Sequence, residues 1–193
     1  MILIGLTGTI GSGKTFALNF FRSKKIPTFS ADNEVKKLLK NKIVKDKIYK
    51  KFPEVFFKKK INKNKLALIV FNNKKKLNCL EQILHPLVKE RKKIFLSKNK
   101  NKKIIIMEIP IIFEKKDKKN YNFIILMNTN KKIQLQRVMK RKNMTSQLFK
   151  RILSNQLPDK KKKADYVVNN NGTKSKTKEI LEKIINKIIS TDL

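Results

Sequence analysis

The segment Gly8-Thr9-Ile10-Gly11-Ser12-Gly13-Lys14-Thr15 constrains this chain more than any other feature. It follows a short apolar run, residues 2–7, that reads as a buried strand. It opens residues 14–23, where Phe16, Leu18, Phe20 and Phe21 give a helix broad apolar faces. Gly-x₄-Gly-Lys-Thr between strand and helix is the context of a phosphate-binding Walker A loop. Glycines admit backbone conformations closed to residues with a Cβ, so successive N–H groups can converge on phosphate oxygens. The helix that follows adds the positive end of its dipole. The spacing predicts a cradle built on Gly8, Gly11, Ser12, Gly13, Lys14, Thr15 and Phe16, with backbone N–H groups from Gly11 to Phe16 lining it. Lys14 is placed to reach the β- and γ-phosphates of ATP, and the Thr15 hydroxyl to ligate Mg²⁺.

The rest of the chain alternates strand and helix signals. Residues 26–29 read as a second short strand and 33–50 as a helix with Val35, Leu38, Leu39 and Ile43 near helical spacing. Ile104 to Met107 and Phe123 to Met127 are continuous apolar runs flanked by charge, as expected of central parallel strands buried on both faces. Tyr166-Val167-Val168 is a last strand, followed by the turn-like Asn169-Asn170-Asn171-Gly172 and a helix from about 174 to 190. This rhythm predicts an α/β fold, a doubly wound parallel five-stranded sheet flanked by helices. Residues 50–100 carry no clear strand signal and read as a mainly helical, substrate-facing insertion.

Composition narrows the function classes. The 193 residues suit one compact domain, and the 40% apolar content argues against disorder despite 33% charged residues. Only Cys79 is present, so there is no disulfide framework, and no Cys/His cluster has metal-ligand spacing. The start has no basic leader and no window approaches a membrane span, so a cytoplasmic protein without a membrane partner is expected. A net charge of +35 suggests nucleic acid, yet only five of the 49 basic residues are Arg and the lysines are scattered through every segment. The uniform excess of Lys, Asn, Ile and Phe reads as drift toward AT-rich codons. No specific nucleic-acid partner is expected. The Lys runs at 58–60, 74–76 and 160–163 are solvated faces or loops.

A guanine-reading Asn-Lys-x-Asp is absent, and the chain is small for an ABC or AAA+ ATPase. A small chain with its phosphate loop at the start favours a kinase of a small molecule. Such an enzyme needs a carboxylate near the acceptor hydroxyl and cations over the transferring phosphoryl group. Asp32, after the second strand, fits either an orienting base or an N-cap of the helix 33–50. His85 precedes Pro86, which suits a helix start, and fits a substrate contact or a packing role. Glu108 ends the third strand and can hold Mg²⁺ through water or anchor a loop. Arg137 and Arg141, at i and i+4, would share one helix face and can grip phosphate oxygens, or simply form a basic surface.

In order along the chain, several segments resemble the dephospho-CoA kinase family. Leu6 to Thr15 is similar to its Leu-Thr-Gly-Gly-Ile-Gly-Ser-Gly-Lys-Ser, Ser30-Ala31-Asp32 to its Asp-Ala-Asp, and Leu84-His85-Pro86 to its Leu-His-Pro. Pro110-Ile111-Ile112-Phe113-Glu114 resembles Pro-Leu-Leu-Phe-Glu, and Gln134 to Arg137 with Arg141 resembles the lid segment. Arg151-Ile152 with Gln156, Ala164-Asp165 and Asn170-Asn171-Gly172 match the C-terminal pattern. The resemblance implies a P-loop kinase that moves the γ-phosphoryl group of ATP to the ribose 3′-hydroxyl of dephospho-CoA. It implies a nucleotide-binding core (1–50, 101–130, 160–193), a helical CoA-binding region (51–100) and a lid (131–159). It makes Asp32 the catalytic base with Lys14, Arg137 and Arg141 around the phosphoryl group, and Thr15 and Glu108 the metal-side residues. Asp32, His85, Pro110 and Phe113 would meet the substrate. A monomer is the expected state, with an oligomer open. Other small-molecule or nucleotide kinases are the alternative, and a basic nucleic-acid-binding P-loop protein a further one.

Four positions depart from the family pattern: Ser30 for the first acid of Asp-Ala-Asp, Thr9 for Gly, Lys36 for Arg and Asn122 for an acid. None removes Lys14, Asp32 or the two arginines. A working enzyme is expected, with self-repulsion among its lysines lowering its stability.

Overall fold

A computed structural model describes residues 1–110, 112–113, 117–142, 144–156 and 163–191. Ile111 and Glu114 of the Pro110–Glu114 motif, Lys160 to Lys162, and residues 157–159 of the lid segment lie outside the described residues.

The predicted sheet forms. Strands β1 (Ile2–Thr7), β2 (Thr28–Ser30), β5 (Ile104–Glu108), β6 (Phe123–Asn128) and β7 (Tyr166–Asn169) order as β2-β5-β1-β6-β7, every pair parallel. The continuous apolar runs are explained by burial on both faces. Ile104 and Ile106 point into one core with Ile2, Ile4, Leu6, Phe21 and Leu181, while Ile105 and Met107 point into the other with Ile112, Tyr121 and Ile124. The first face is covered by α1 (Lys14–Ser23) and α8 (Lys174–Thr191), and the second by Phe95 and Leu96 from the long helix α5 (Lys74–Lys98).

A third cluster, Leu38, Val44, Ile48, Phe52, Val55, Leu66, Val70 and Leu84, gives the helical part its own core. It joins α2 (Ala31–Leu38) and α3 (Lys42–Lys51) to α4 (Lys63–Phe71) and α5. The single helix expected over 33–50 is therefore two. Asn41 breaks it by adopting an extended conformation and accepting a hydrogen bond from Val44 N at 3.2 Å, a cap that a mid-helix Asn would forgo. The segment expected to lack strands holds a small antiparallel hairpin, β3 (Phe56–Phe57) and β4 (Lys60–Ile61). Its two-residue turn places Lys58 and Lys59 at φ 45° and 61°, the left-handed geometry that hairpin twist demands and that Asn-Gly ordinarily supplies.

His85 and Pro86 do not start a helix. Asn73 caps α5 twelve residues earlier, and the helix runs through Pro86 because Leu77, Leu80 and Leu84 pack into the helical core on the preceding turns. The proline removes only the N–H that would have met the carbonyl of Gln82. Among the described residues no helix is long and apolar enough to cross a membrane. The remaining helices, α6 (Lys131–Met139) and α7 (Ser146–Ser154), follow β6.

Candidate active site

The five parallel strands all end at one edge, and the residues that follow them meet there, where open α/β sheets bind ligands. They line a cleft of about 820 Å³. β1 delivers the phosphate loop, β2 delivers Asp32, and β5 delivers Glu108 and Pro110. The segment after β6 delivers Arg137 and Arg141. Opposite this polar end, Val35, Phe71, Leu77, Leu80 and Leu84 from α2, α4 and α5 make an apolar wall, with Glu81 and His85 beside it.

The loop has the conformation its glycines allow. Gly8, Gly11 and Gly13 have φ of 150°, 80° and 104°. At Gly13 a Cβ would collide with Asn170 Nδ2. Gly13 is also the N-cap of α1, and no side chain caps that end. Ala17 N is the first to bond back into the helix, to Gly13 O at 3.1 Å, so the preceding first-turn N–H groups have no intrahelical acceptor. Lys14 Nζ donates to Gly8 O (2.8 Å) and Thr9 O (3.2 Å), which holds the ammonium over the loop. Ser12 is fully buried and its Oγ has no hydrogen-bond partner among the described residues. Phe16 is half-buried on α1, in its first turn.

Two carboxylates occupy contrasting environments. Asp32 is exposed to the cleft in the first turn of α2. Its capping alternative is taken by Ser30, whose Oγ accepts from Asn33 N at 3.2 Å. Glu108 is buried and accepts a short hydrogen bond from the same Ser30 hydroxyl. Burial, with the Asp32 carboxylate second, pushes the Glu108 carboxyl above its ordinary value, while the Ser30 bond and then Lys14 and Lys36 pull it back. The serine that replaces an acid at position 30 thus supplies a donor where a third carboxylate would have added repulsion.

Arg137 and Arg141 both line the cleft, though not as one helix face. α6 ends at Met139 with Lys140 as its cap, and Arg141 sits in the turn beyond, its N–H on Val138 O. Arg137 donates through Nη2 to Asn170 O at 3.0 Å, and its Nη1 is buried without a partner among the described residues. An orphaned guanidinium nitrogen beside an uncapped helix end and Lys14 is the chemistry of a site for phosphate oxygens. Pro110 lines the cleft, and its carbonyl accepts from Thr7 Oγ1 at 3.2 Å. His85 lines it from mid-α5, with Nε2 4.0 Å from Glu81 Oε1. Phe113 lies elsewhere, buried in the core beneath the sheet with Phe29 and Met107 rather than lining the cleft.

The oxygen donors on this edge, Thr15, Asp32 and Glu108, suit a hard cation. Among the described residues no group of three or more His, Cys, Asp or Glu could hold a metal ion by itself.

Two glutamines that the sequence analysis gives no role in the site are brought to the loop by the fold. Gln134 Nε2 donates to Thr9 Oγ1 at 2.9 Å and closely to Ile10 O, and Gln156 Oε1 accepts from Ile10 N at 3.2 Å. Thr9, the unusual loop residue, is thereby tied to α6. The available signal was Gln134 standing one turn before Arg137 on the same helix.

The sequence model of the dephospho-CoA kinase family matches residues 2–176. Similar proteins include the dephospho-CoA kinase of Bartonella quintana (strain Toulouse), 41% identical over 173 residues, covering 88% of this chain and 89% of the relative. That of Agrobacterium fabrum is 34% identical over 95% of this chain and 98% of its own. Among solved structures, dephospho-CoA kinase from Campylobacter jejuni has a TM-score of 0.62 at 27% identity, covering 96% of each chain. Shikimate kinase from Acinetobacter baumannii, at 16% identity and TM-score 0.54 over 100% of this chain and 96% of its own, shares the fold.

Proposed function

The chain belongs to the dephospho-CoA kinase family, and we propose that its cleft transfers the γ-phosphoryl group of ATP to the 3′-hydroxyl of the ribose of dephospho-CoA. The observation that carries this reading is the two-ended cleft. One part offers a phosphate loop, an exposed carboxylate and two arginines, and the other an apolar wall of Val35, Phe71, Leu77, Leu80 and Leu84 against which an extended arm can lie. ATP phosphates occupy the uncapped start of α1, where the loop N–H groups and Lys14 neutralise them. Thr15 and Glu108 are the residues that would hold Mg²⁺ beside the nucleotide, where the ion would supply neutralisation of phosphate charge.

Asp32 faces the acceptor. The ribose hydroxyl gives its proton to the Asp32 carboxylate as its oxygen forms a bond to the γ-phosphorus. The bond from that phosphorus to the bridging oxygen breaks, and the electron pair leaves with ADP. Because such transition states are loose, much of the work of Asp32 is to hold the hydroxyl in line. Arg137, with its unpartnered Nη1, and Arg141 take the charge on the transferring oxygens. His85 and Pro110 contact the acceptor. Phe113 is buried in the core with Phe29 and Met107, so a substrate contact there would need the segment to shift.

On this reading residues 51–100 bind the CoA moiety and 131–159 act as a lid over the phosphates. The protein works as a cytoplasmic monomer whose lysines are solvated rather than bound to nucleic acid. The deciding experiment is ADP formation with and without dephospho-CoA at fixed MgATP. Acceptor-dependent turnover is expected; ADP release that ignores dephospho-CoA but responds to another alcohol would replace it as the acceptor.

A further inference from the structure

Asn170 stands in the turn after β7 and is buried, with its hydrogen-bonding groups engaged. Its side-chain Nδ2 donates to Ser12 O at 3.0 Å, and its Oδ1 accepts from Thr177 Oγ1 at 3.1 Å. Its main-chain N–H donates to Asn128 O at 2.8 Å, and its main-chain carbonyl accepts from Arg137 Nη2 at 3.0 Å. The side-chain orientation follows from chemistry. A carbonyl can only accept, so the NH₂ must face Ser12 O and the oxygen must face the Thr177 hydroxyl.

These contacts touch both halves of the phosphate site. A trans peptide points its C=O and N–H to opposite sides. Holding Ser12 O toward Asn170 therefore turns the Gly13 N–H of the same peptide away from Asn170, and Gly13 lines the cleft. The approach is so close that Gly13 has no room for a Cβ. Meanwhile the carbonyl of Asn170 occupies one nitrogen of Arg137 and leaves Nη1 buried and unpartnered.

We propose that Asn170 is a positioning residue for phosphoryl transfer, setting the Gly13 N–H of the cradle through its side chain and Arg137 through its carbonyl. The inference rests on the reading of this loop as the ATP-phosphate site. It separates two effects. Asn170→Asp replaces the donor facing Ser12 O by an oxygen but keeps the main-chain carbonyl under Arg137. ATP binding should suffer more than the chemical step.

The test measures ATP affinity by equilibrium titration of Mg²⁺-ATP without acceptor, then KM for ATP and kcat with dephospho-CoA. For Asn170→Asp, affinity and KM are expected to worsen by about tenfold, with kcat within about threefold of wild type. Thr177→Val, which frees the amide to turn, is expected to weaken ATP by about fivefold, the worth of one neutral hydrogen bond, and Thr177→Ser to restore wild-type affinity. A folded Asn170→Asp variant with unchanged ATP affinity overturns the proposal. So do Thr177→Val and Thr177→Ser variants that bind ATP alike, and this pair decides the matter if Asn170→Asp does not fold. Should wild type bind ATP yet fail to use dephospho-CoA, the acceptor assignment falls and the affinity ratios still judge Asn170.

Discussion

The amino termini of α1 and α2 both follow strands of the same parallel sheet, yet they are finished in opposite ways. At α2 the Ser30 hydroxyl accepts from Asn33 N and donates to Glu108, so the helix end is closed and tied to the neighbouring strand. α3, α4, α5 and α6 are capped by Asn41, Asn62, Asn73 and Asn130, and α7 by Thr145. Among α1 to α7 only α1 lacks a side-chain cap. A missing cap costs about 1 kcal/mol. The chain bears that cost at the one end where Lys14, Arg137 and a cleft converge, which is where a bound phosphate can supply the missing acceptors.

The comparison breaks most visibly if the open end is deprived of its charge. Lys14→Ala removes the ammonium that rests on Gly8 O and Thr9 O, and kcat/KM should fall by about 10³-fold while the protein stays folded. Normal ADP production by a folded variant would remove the phosphate loop from the mechanism. Across the cleft, Asp32→Asn keeps the shape of the first turn of α2 and removes the proton acceptor. A loss of about 10²-fold in kcat is expected, at the low end for a general base because the transition state is loose. The helix itself should be unaffected, since its cap is Ser30. A drop in helicity would mean that Asp32 supports structure instead.

How much of this contrast could be read beforehand differs between the two ends. The open end was legible because its glycines, Lys14 and Thr15 carry chemistry at fixed spacing between a strand and a helix. The apolar runs gave the five-stranded sheet for a similar reason, since burial on both faces leaves no polar residue within Ile104 to Met107. The closed ends were hidden in the Asn excess, which as composition reads as drift although four of those residues cap helices. The Lys58-Lys59 turn gave no hairpin signal, because lysine is an unusual occupant of positive φ. The i, i+4 spacing of Arg137 and Arg141 was right about the cleft and wrong about the helix, which stops before Arg141. Gln134, Gln156 and Asn170 reach the loop from more than 120 residues away, and no local pattern encodes such contacts.

Glu108 links the two ends, and replacing it should move stability and activity in opposite directions. Its carboxyl is pushed up by burial and then by Asp32, so ionising it in the folded state is unfavourable. Below its ordinary value of about 4.5 the group is protonated folded or unfolded, and the penalty is absent. The penalty grows as pH rises through that value toward the raised one, and is complete above it. Nucleotide-free Glu108→Gln, which can still accept from Ser30, should therefore be at least as stable as wild type at pH 7. The difference should close as pH falls toward 4.5. Its Mg²⁺-dependent turnover should drop by about tenfold, the usual scale for a residue acting on a metal at one remove. Thermal melts at pH 7 and 4.5 check the first part, and Mg²⁺ titration of the rate checks the second. A variant less stable at pH 7 than at 4.5, relative to wild type, would contradict the assigned sign.

The smallest effect isolates the cap from the chemistry. Asn41→Ala removes the acceptor for Val44 N at the start of α3, on a helix that contributes no residue to the cleft. The expected loss is about 1 kcal/mol of stability in denaturant unfolding. ATP affinity and kcat should not change. The contrast with α1 makes this informative: there no side chain caps the helix, and ATP should raise the unfolding midpoint by binding at that end. In wild type and in Asn41→Ala the ATP-induced rise should be the same, since the two ends are satisfied independently. A smaller rise in the variant would show that α3 communicates with the phosphate loop through the helical core, and the two kinds of helix end would then have to be treated as one coupled system.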